Sequence, residues 1–492
     1  MAEQNRQPLL KRHYYENCPG CKVDQANEVA QGIPFRNLFN IVILVLCTTL
    51  PIQSLFPYLY FMVQDFHIAK REEDVGTYAG YVGSSFMLGR CLTSVFWGIL
   101  ADRYGRKPVM VIGVITVIIF SILFGLSSNF WMAISTRFLL GSLNGSMGPM
   151  KAYASEIVPE EYQTMGLSTL SASWGIGLIL GPALGGYLAQ PAEKYPRIFS
   201  KGSFWDKFPY FLPSLIISIF ASGALILCIW LPETLHYHKN TDQSPDDSYE
   251  ALENANSSID TDKKPQESEG GPLKTNENLL LNWPLMSSII VYCFFSLHDI
   301  AYQEVFSLWA VSPQRLGGLS FSSDDVGNVL AISGVALIFF QLTLYPYVER
   351  VFGAVPLARV SGVLTIPLLQ SYTFIAMLSG FTLYLVINIA NIFKSLLSVT
   401  INTSLFIVQN KAVEQHQRGA ANGITMTAMS LFKAIGPAGA GAVFSWSEKR
   451  LDSAFLPGTR LVFFFLNVIE GIGVLMLFKP FLSIRRQSTG RQ

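Results

Sequence analysis

The sequence predicts an all-α membrane protein of twelve transmembrane helices, built as two pseudo-symmetric six-helix bundles. Three observations predict it. Half of the 492 residues are hydrophobic and only 14% are charged, where a soluble domain carries about 25% charged residues. Apolar stretches of about 20 residues, long enough to cross the hydrocarbon of a bilayer, recur along the chain. And motifs of the first half return, degraded, in the second.

The apolar segments run over 36–63, 76–101, 108–127, 130–151, 164–189, 209–231, 283–311, 324–348, 355–379, 381–410, 419–446 and 460–482. They are the first to twelfth spans below. Residues 1–35 form a polar tail without the apolar core of a cleavable leader, so the first span is expected to act as the insertion signal. The spans divide six and six around 232–282, an acidic stretch rich in Ser, Asn and Pro that reads as a disordered linker. This leaves bundles at 36–231 and 283–482 and a short tail at 483–492. Of the 35 lysines and arginines, twenty fall on the side of the two tails and the linker, ten on the other side and five inside spans. That bias places both termini and the linker in the cytosol. A net charge of +1 says nothing about nucleic acid, because the charges are sorted by membrane side; no nucleic-acid partner is expected. Cys47, Cys91, Cys228 and Cys293 sit singly in apolar runs and read as packing residues.

Between the second and third spans stands Gly98-Ile99-Leu100-Ala101-Asp102-Arg103-Tyr104-Gly105-Arg106-Lys107. A charged turn this short cannot lie in hydrocarbon and must be a tight loop at a membrane face. Its glycines allow helices to approach, and Asp102 has cations in reach, which reads as an ion-paired latch. The plainer alternative is a positive stop signal that only fixes topology. Glu349-Arg350-Val351-Phe352-Gly353, after the eighth span, echoes it. Gly181-Pro182 with Gly185 and Gly186 in the fifth span is echoed by Gly436-Pro437 with Gly439 and Gly441 in the eleventh.

Several spans carry polar stripes. In the fifth, Gly177, Gly181, Pro182, Gly185 and Gly186 combine close-packing glycines with a helix-breaking proline. In the fourth, Arg137, Gly141, Asn144, Gly148, Lys151 and Ser155 share one face at about 100° per residue, which lipid would not tolerate. Lys151 reads equally as a snorkelling anchor. In the seventh, His298, Asp299, Tyr302 and Gln303 share a face, and Glu304 points elsewhere. An intramembrane His–Asp pair suits a proton relay, with hydration near the far surface as the alternative. Asn388, Asn391, Lys394, Ser395, Ser398 and Asn402 line the tenth span, and Asn422, Thr425 and Lys433 the eleventh. They predict a hydrophilic, cationic cavity that attracts carboxylates, unless they serve interhelical packing. Glu470, in the twelfth span, is a lone acid without an assigned role. The proton-coupling candidates are therefore Arg137, His298, Asp299 and Glu304; the cavity candidates are Asn144, Lys151, Tyr302, Asn391, Lys394, Asn422 and Lys433.

The tail carries Cys18-Pro19-Gly20-Cys21, two thiols where a structural zinc site needs four ligands. His13, His236 or His238 would have to complete it, as a regulatory zinc site or a redox pair. No other cofactor is expected. No G-x-x-x-x-G-K-[ST] loop occurs, which disfavours an ATP-driven pump, and no enzymatic constellation is present.

The Gly98–Lys107 stretch resembles the loop 2–3 signature of the major facilitator superfamily, G-x-L-a-D-R-x-G-R-[RK]. The fifth-span glycines resemble its antiporter signature G-x-x-x-G-P-x-x-G-G, and Arg137 with Gly141 and Gly145 its fourth-helix R-x-x-x-G motif, linked there to proton coupling. Cys18-Pro19-Gly20-Cys21-Lys22, Trp97-Gly98, Met150-Lys151-Ala152-Tyr153-Ala154-Ser155-Glu156, Ser173-Trp174-Gly175 and Arg418-Gly419-Ala420-Ala421-Asn422-Gly423 together resemble the plant zinc-induced facilitator family. That resemblance implies proton-coupled antiport of a small organic solute out of the cytosol, by a monomer, into the vacuole or across the plasma membrane. It implies cargo such as nicotianamine-type metal chelators, with auxin-type acids or K⁺ as alternatives. An uncoupled facilitator and a sensor of transporter ancestry are the rival readings.

Overall fold

In a computed structural model, residues 14–15, 18–29, 32, 34–159, 162–236, 279–413 and 418–483 are described. A tail helix, Pro19–Val29, precedes the spans. The first half continues with Phe35–Gln53 and Leu59–Asp65, Val75–Tyr104, Arg106–Gly125, Phe130–Leu143 and Met147–Glu156, Gln163–Leu188 and Phe211–Trp230. The second half holds Trp283–Val311, Ser323–Thr343 and Tyr345–Phe352, Ala354–Ile375, Gly380–Ala412, Arg418–Glu448 and Arg460–Met476. Among the described residues, eight helices are long and apolar enough to cross a membrane. Of the linker read as disordered, 232–282, residues 237–278 lie outside the described ones; its ends are described, with Glu233 and Thr234 hydrogen-bonded to Arg106, Lys107 and Glu156 and a short helical turn at Leu279–Leu281.

Four spans differ from expectation. The first, fourth and eighth are each broken into two helices, and the twelfth helix ends at Met476 rather than near 482. The breaks have tertiary causes. In the fourth span the chain bends at Asn144–Ser146 because Trp97 occupies the space beside Gly145; a Cβ there would fall 2.0 Å from the indole. Trp97 Nε1 and Thr93 Oγ1 each donate to the Ser142 carbonyl at 2.7 Å, satisfying an acceptor that a helix end orphans. In the first span Arg137 Nη1 donates to the Pro51 carbonyl at 2.9 Å, in the last turn before the break.

The tail helix marks one end of the bundle, packing by Asn27 Nδ2 on the Glu156 carbonyl and by Gly20 N on the Leu235 carbonyl. At the opposite end one apolar core runs through both halves, joining Tyr58, Phe130 and Tyr210 to Phe306, Trp309 and Phe463. Towards the tail end it divides. Ile41, Val114 and Tyr153 lie in a cluster drawn mainly from the first half, which also takes in Ile300 and Ala434, and Val291, Ile401 and Val474 in one of the second.

The seam between the halves follows the same asymmetry. Gly186 lies where a Cβ would meet the Ser323 carbonyl at 2.6 Å, and Gly80 where one would meet the Pro437 carbonyl at 2.4 Å. The Gly-Pro of the fifth span thus abuts the eighth, and that of the eleventh abuts the second, as a two-fold repeat requires. Lys194–Asp324 (3.3 Å), Arg315–Glu72 and Lys449–Asp74 clasp the halves there. Burial lowers the pKa of the Lys194 ammonium from its ordinary value, with Asp324 opposing. Among the described residues every ion pair between the halves is at this opposite end. At the tail end Gly98, Gly148 and Gly423 have nothing within 4 Å of a built Cβ. The molecule is closed at one end and open at the other.

Candidate functional site

The loop after the second span folds into a charge lattice within the first half. Gly105 takes φ +113°, which a side chain disfavours, and a Cβ there would strike the Glu233 carboxylate at 2.4 Å. That carboxylate accepts from the amides of Arg106 (2.9 Å) and Lys107 (3.0 Å), an anion seated on the first turn of a helix. Arg106 Nη1 bonds Asp102 at 2.7 Å and Nη2 bonds Glu156 at 3.2 Å. Lys107 Nζ donates to the Ile229 carbonyl at 2.9 Å, and Arg103 lies over the Tyr104 ring. The lattice ties the second, third, fourth and sixth spans together. Gly98, expected at a close helix approach, faces open space instead, because the tail end is apart. Glu233 and Glu156 were not legible as members of this lattice; only the fold brings them to Arg106.

The fifth-span glycines have two duties. Gly177, Gly181 and Gly185 admit Thr49, Gln53 and Ser54 of the first span, a Cβ on Gly185 falling 1.9 Å from the Ser54 carbonyl. Gly186 and Pro182 face the eighth span across the seam, Gly327 standing beside the Pro182 carbonyl.

The second half holds a buried cluster of opposite charges. The seventh span contributes Asp299, near its middle, and the tenth contributes Lys394; Nζ and Oδ1 are 2.6 Å apart. Ser398 Oγ donates to the same oxygen and Asn402 Nδ2 to the other at 3.1 Å. Lys394 also lies 4.2 Å from the centre of the Tyr302 ring, a second favourable contact for its charge. The Lys394 side chain is 3% exposed but that of Asp299 28%, so the carboxylate is the side from which the pair is reached. Beside it a cavity of about 10 Å³, the space of a single water, is lined by His298, Thr365, Lys394, Ser398, Asn402 and Glu470.

This arrangement corrects the expected His–Asp relay. His298 Nδ1 stands 3.0 Å from Glu470 Oε2, both side chains buried, while Asp299 belongs to Lys394. The ring and the carboxylate of neighbouring residues diverge to different helices, so two acid–base pairs replace one. Glu470 is the member that sequence reading left unassigned: its partner is 172 positions away and its own helix offers none. Glu304 is buried at the seam, an oxygen 3.1 Å from a Cβ built on Gly83 of the other half. Arg137 itself is held by the Pro51 carbonyl and the rings of Phe86 and Phe124, at 5.2 and 5.3 Å.

Three cavity candidates face inward instead. Asn144 accepts from Ser146 at 2.7 Å and abuts Gly113 within the first half. Asn391 is saturated by Tyr302 and Ser333, both at 2.7 Å. Tyr302 is buried against Tyr372, to whose hydroxyl it is bonded at 2.6 Å. The side chain of Asn422 lies outside the described residues. Lys151 of the fourth span and Lys433 of the eleventh are half-buried, as is Arg90 of the second, a cation not singled out from the sequence. On the tail, Cys18 and Cys21 come together with His236; His13 and His238 lie outside the described residues.

Comparison with known proteins agrees with the architecture. Residues 41–312 match the family model of the Major Facilitator Superfamily. Zinc induced facilitator-like 1 of Arabidopsis thaliana is 57% identical over 487 residues, covering 99% of this chain and 100% of that protein. Zinc induced facilitator 1 of the same plant is 57% identical over 490 residues, with 99% and 100% covered. Among solved structures, a D-xylose-proton symporter superposes with a TM-score of 0.67 at 14% identity, over 90% of this chain and 97% of that one. With its two six-span halves, its loop lattice and relatives that match it end to end, the chain belongs to the Major Facilitator Superfamily, as a secondary transporter of the zinc-induced facilitator family.

Proposed function

We propose that this transporter is a proton antiporter that carries a small zwitterionic amino-carboxylate, of the metal-chelating kind, from the cytosol to the vacuole or the cell exterior. The observation that carries the reading is the pairing of two unlike charge groups in one interior. Asp299, reachable beside Lys394, and the His298–Glu470 pair behind it offer carboxylates. Arg90 and Lys151 of the first half and Lys433 of the second, all half-buried, offer cations. A zwitterion uses both, its ammonium on an acid and its carboxylates on the cations. A proton and an ammonium then compete for the same carboxylate, and that exclusion is what antiport requires. The names of the relatives, induced by zinc, agree with chelator cargo. The closed far end and open tail end support a cytosol-facing state, with the Asp102–Arg106–Glu156 lattice as the element that re-forms contacts when the tail end shuts. The monomer suffices, since both halves lie in one chain. The vacuolar membrane is the favoured location.

The test is purified protein in liposomes under an imposed pH gradient, offered an amino-carboxylate chelator, free Zn²⁺, an auxin-like acid and K⁺ in turn. The chelator should be exchanged for protons, and Asp299→Asn should abolish the response to the gradient. Flux of the chelator that ignores the gradient in the unaltered protein, or a gradient response unchanged in Asp299→Asn, would overturn the assignment.

A further inference from the structure

We propose that Cys18, Cys21 and His236 form a reversible zinc-class metal site that fastens the tail to the first half of the transporter. It stands apart from the transport reading, at the tail end of the sixth span. The three donor atoms lie within 4.8 Å of one another, and His236 Nδ1 is 3.7 Å from each sulfur. In a tetrahedral site with Zn–S near 2.3 Å and Zn–N near 2.05 Å, sulfur and nitrogen are about 3.6 Å apart. The protein therefore holds these donors close to the edge length that a zinc ion would impose.

The other ring nitrogen supports the same assignment. Asp24 Oδ2 stands 3.6 Å from His236 Nε2, so the imidazole has thiols on one side and a carboxylate on the other. That is the orientation in which a carboxylate holds a metal-bound histidine. The backbone is built for the approach. A Cβ on Gly20 would strike the Thr234 carbonyl at 2.7 Å and the His236 ring at 2.8 Å, so only glycine lets the cysteine turn seat the ring. Cys21 lies in the first turn of the tail helix. The sulfurs are buried while His236 is exposed, which supplies the entry path.

Among the described residues three donors gather here, against the four of a closed structural site. Its location gives occupancy a consequence. Leu235 and His236 directly follow Glu233 and Thr234, which hold the Arg106 and Lys107 amides and bond Glu156. A bound cation would pin the tail helix to the same lattice that ties the loop of the second and third spans.

The experiment uses the full chain in detergent, free of any histidine tag, stripped with a chelator and titrated with Zn²⁺ against a chromophoric competitor. Co²⁺ serves as the spectroscopic substitute. One zinc per chain is expected, with a thiolate-to-cobalt charge-transfer band. Both should be lost in Cys21→Ser and in His236→Gln, the latter at an exposed ring whose replacement leaves the core intact. Asp24→Asn should weaken zinc binding by about 10- to 100-fold. Zinc uptake by the unaltered protein no greater than by His236→Gln, or a cobalt spectrum without the thiolate band, would overturn the proposal.

Discussion

Replacing Asp299 by asparagine leaves Lys394 charged, 3% exposed and without the carboxylate that stood 2.6 Å from it. Stranding one member of a buried ion pair costs about 3–5 kcal/mol. Here Asp299 is partly open to solvent and the Tyr302 ring remains beneath the ammonium, so about 2–3 kcal/mol is the expected loss. Lys394→Met strands Asp299 less severely, because Ser398 and Asn402 still donate to it; about 1–2 kcal/mol follows. The double variant removes both charges and should lose no more than about 1 kcal/mol, giving a coupling of about 2 kcal/mol or more in a double-mutant cycle. Unfolding titrations in mixed micelles read all four proteins. Single losses that simply add in the double variant, within about 0.5 kcal/mol, would refute the claim that these two charges neutralise each other. Transport should not return in the double variant even where stability does.

Two further outcomes follow from the seam and the glycines. Gly185→Ala, whose Cβ would fall 1.9 Å from the Ser54 carbonyl, should force the fifth span off the first and abolish folded yield or transport. Gly98→Ala, with nothing within 4 Å, should leave yield and thermal stability unchanged while lowering the turnover rate, because the tail end must close on that surface; equal damage from the two, scored by yield and liposome flux, would contradict the open-ended description. Cysteines at Asp74 and Lys449, partners across the far end, should cross-link with a short bifunctional reagent and stop transport until a cleavable linker is cut; full activity in the cross-linked protein would show that this end need not open.

The gross fold was legible because a bilayer leaves few solutions for a chain so poor in charge. The breaks in the first and fourth spans were not. They depend on Trp97 filling the space beside Gly145 and on Arg137 reaching the Pro51 carbonyl, contacts between residues 48 and 86 positions apart. A helical wheel carried across Asn144 therefore put that side chain on the wrong surface. In the seventh-span stripe, adjacency on one helix suggested His298 and Asp299 as partners. Neighbouring side chains leave a helix about 100° apart, and each found its counter-charge on another span. Glu470, Arg90 and Glu233 share one reason for being missed: each is defined by what comes to it from elsewhere.

The three ion pairs that clasp the far end are partly exposed. Exposed pairs contribute at most about 1 kcal/mol each and weaken with salt. Beside them lies the apolar core that runs through both halves, so salt loosens this closure without undoing it. Dissolved ions at that end therefore help set how often it parts, so the rate of opening carries a reading of the ionic strength there.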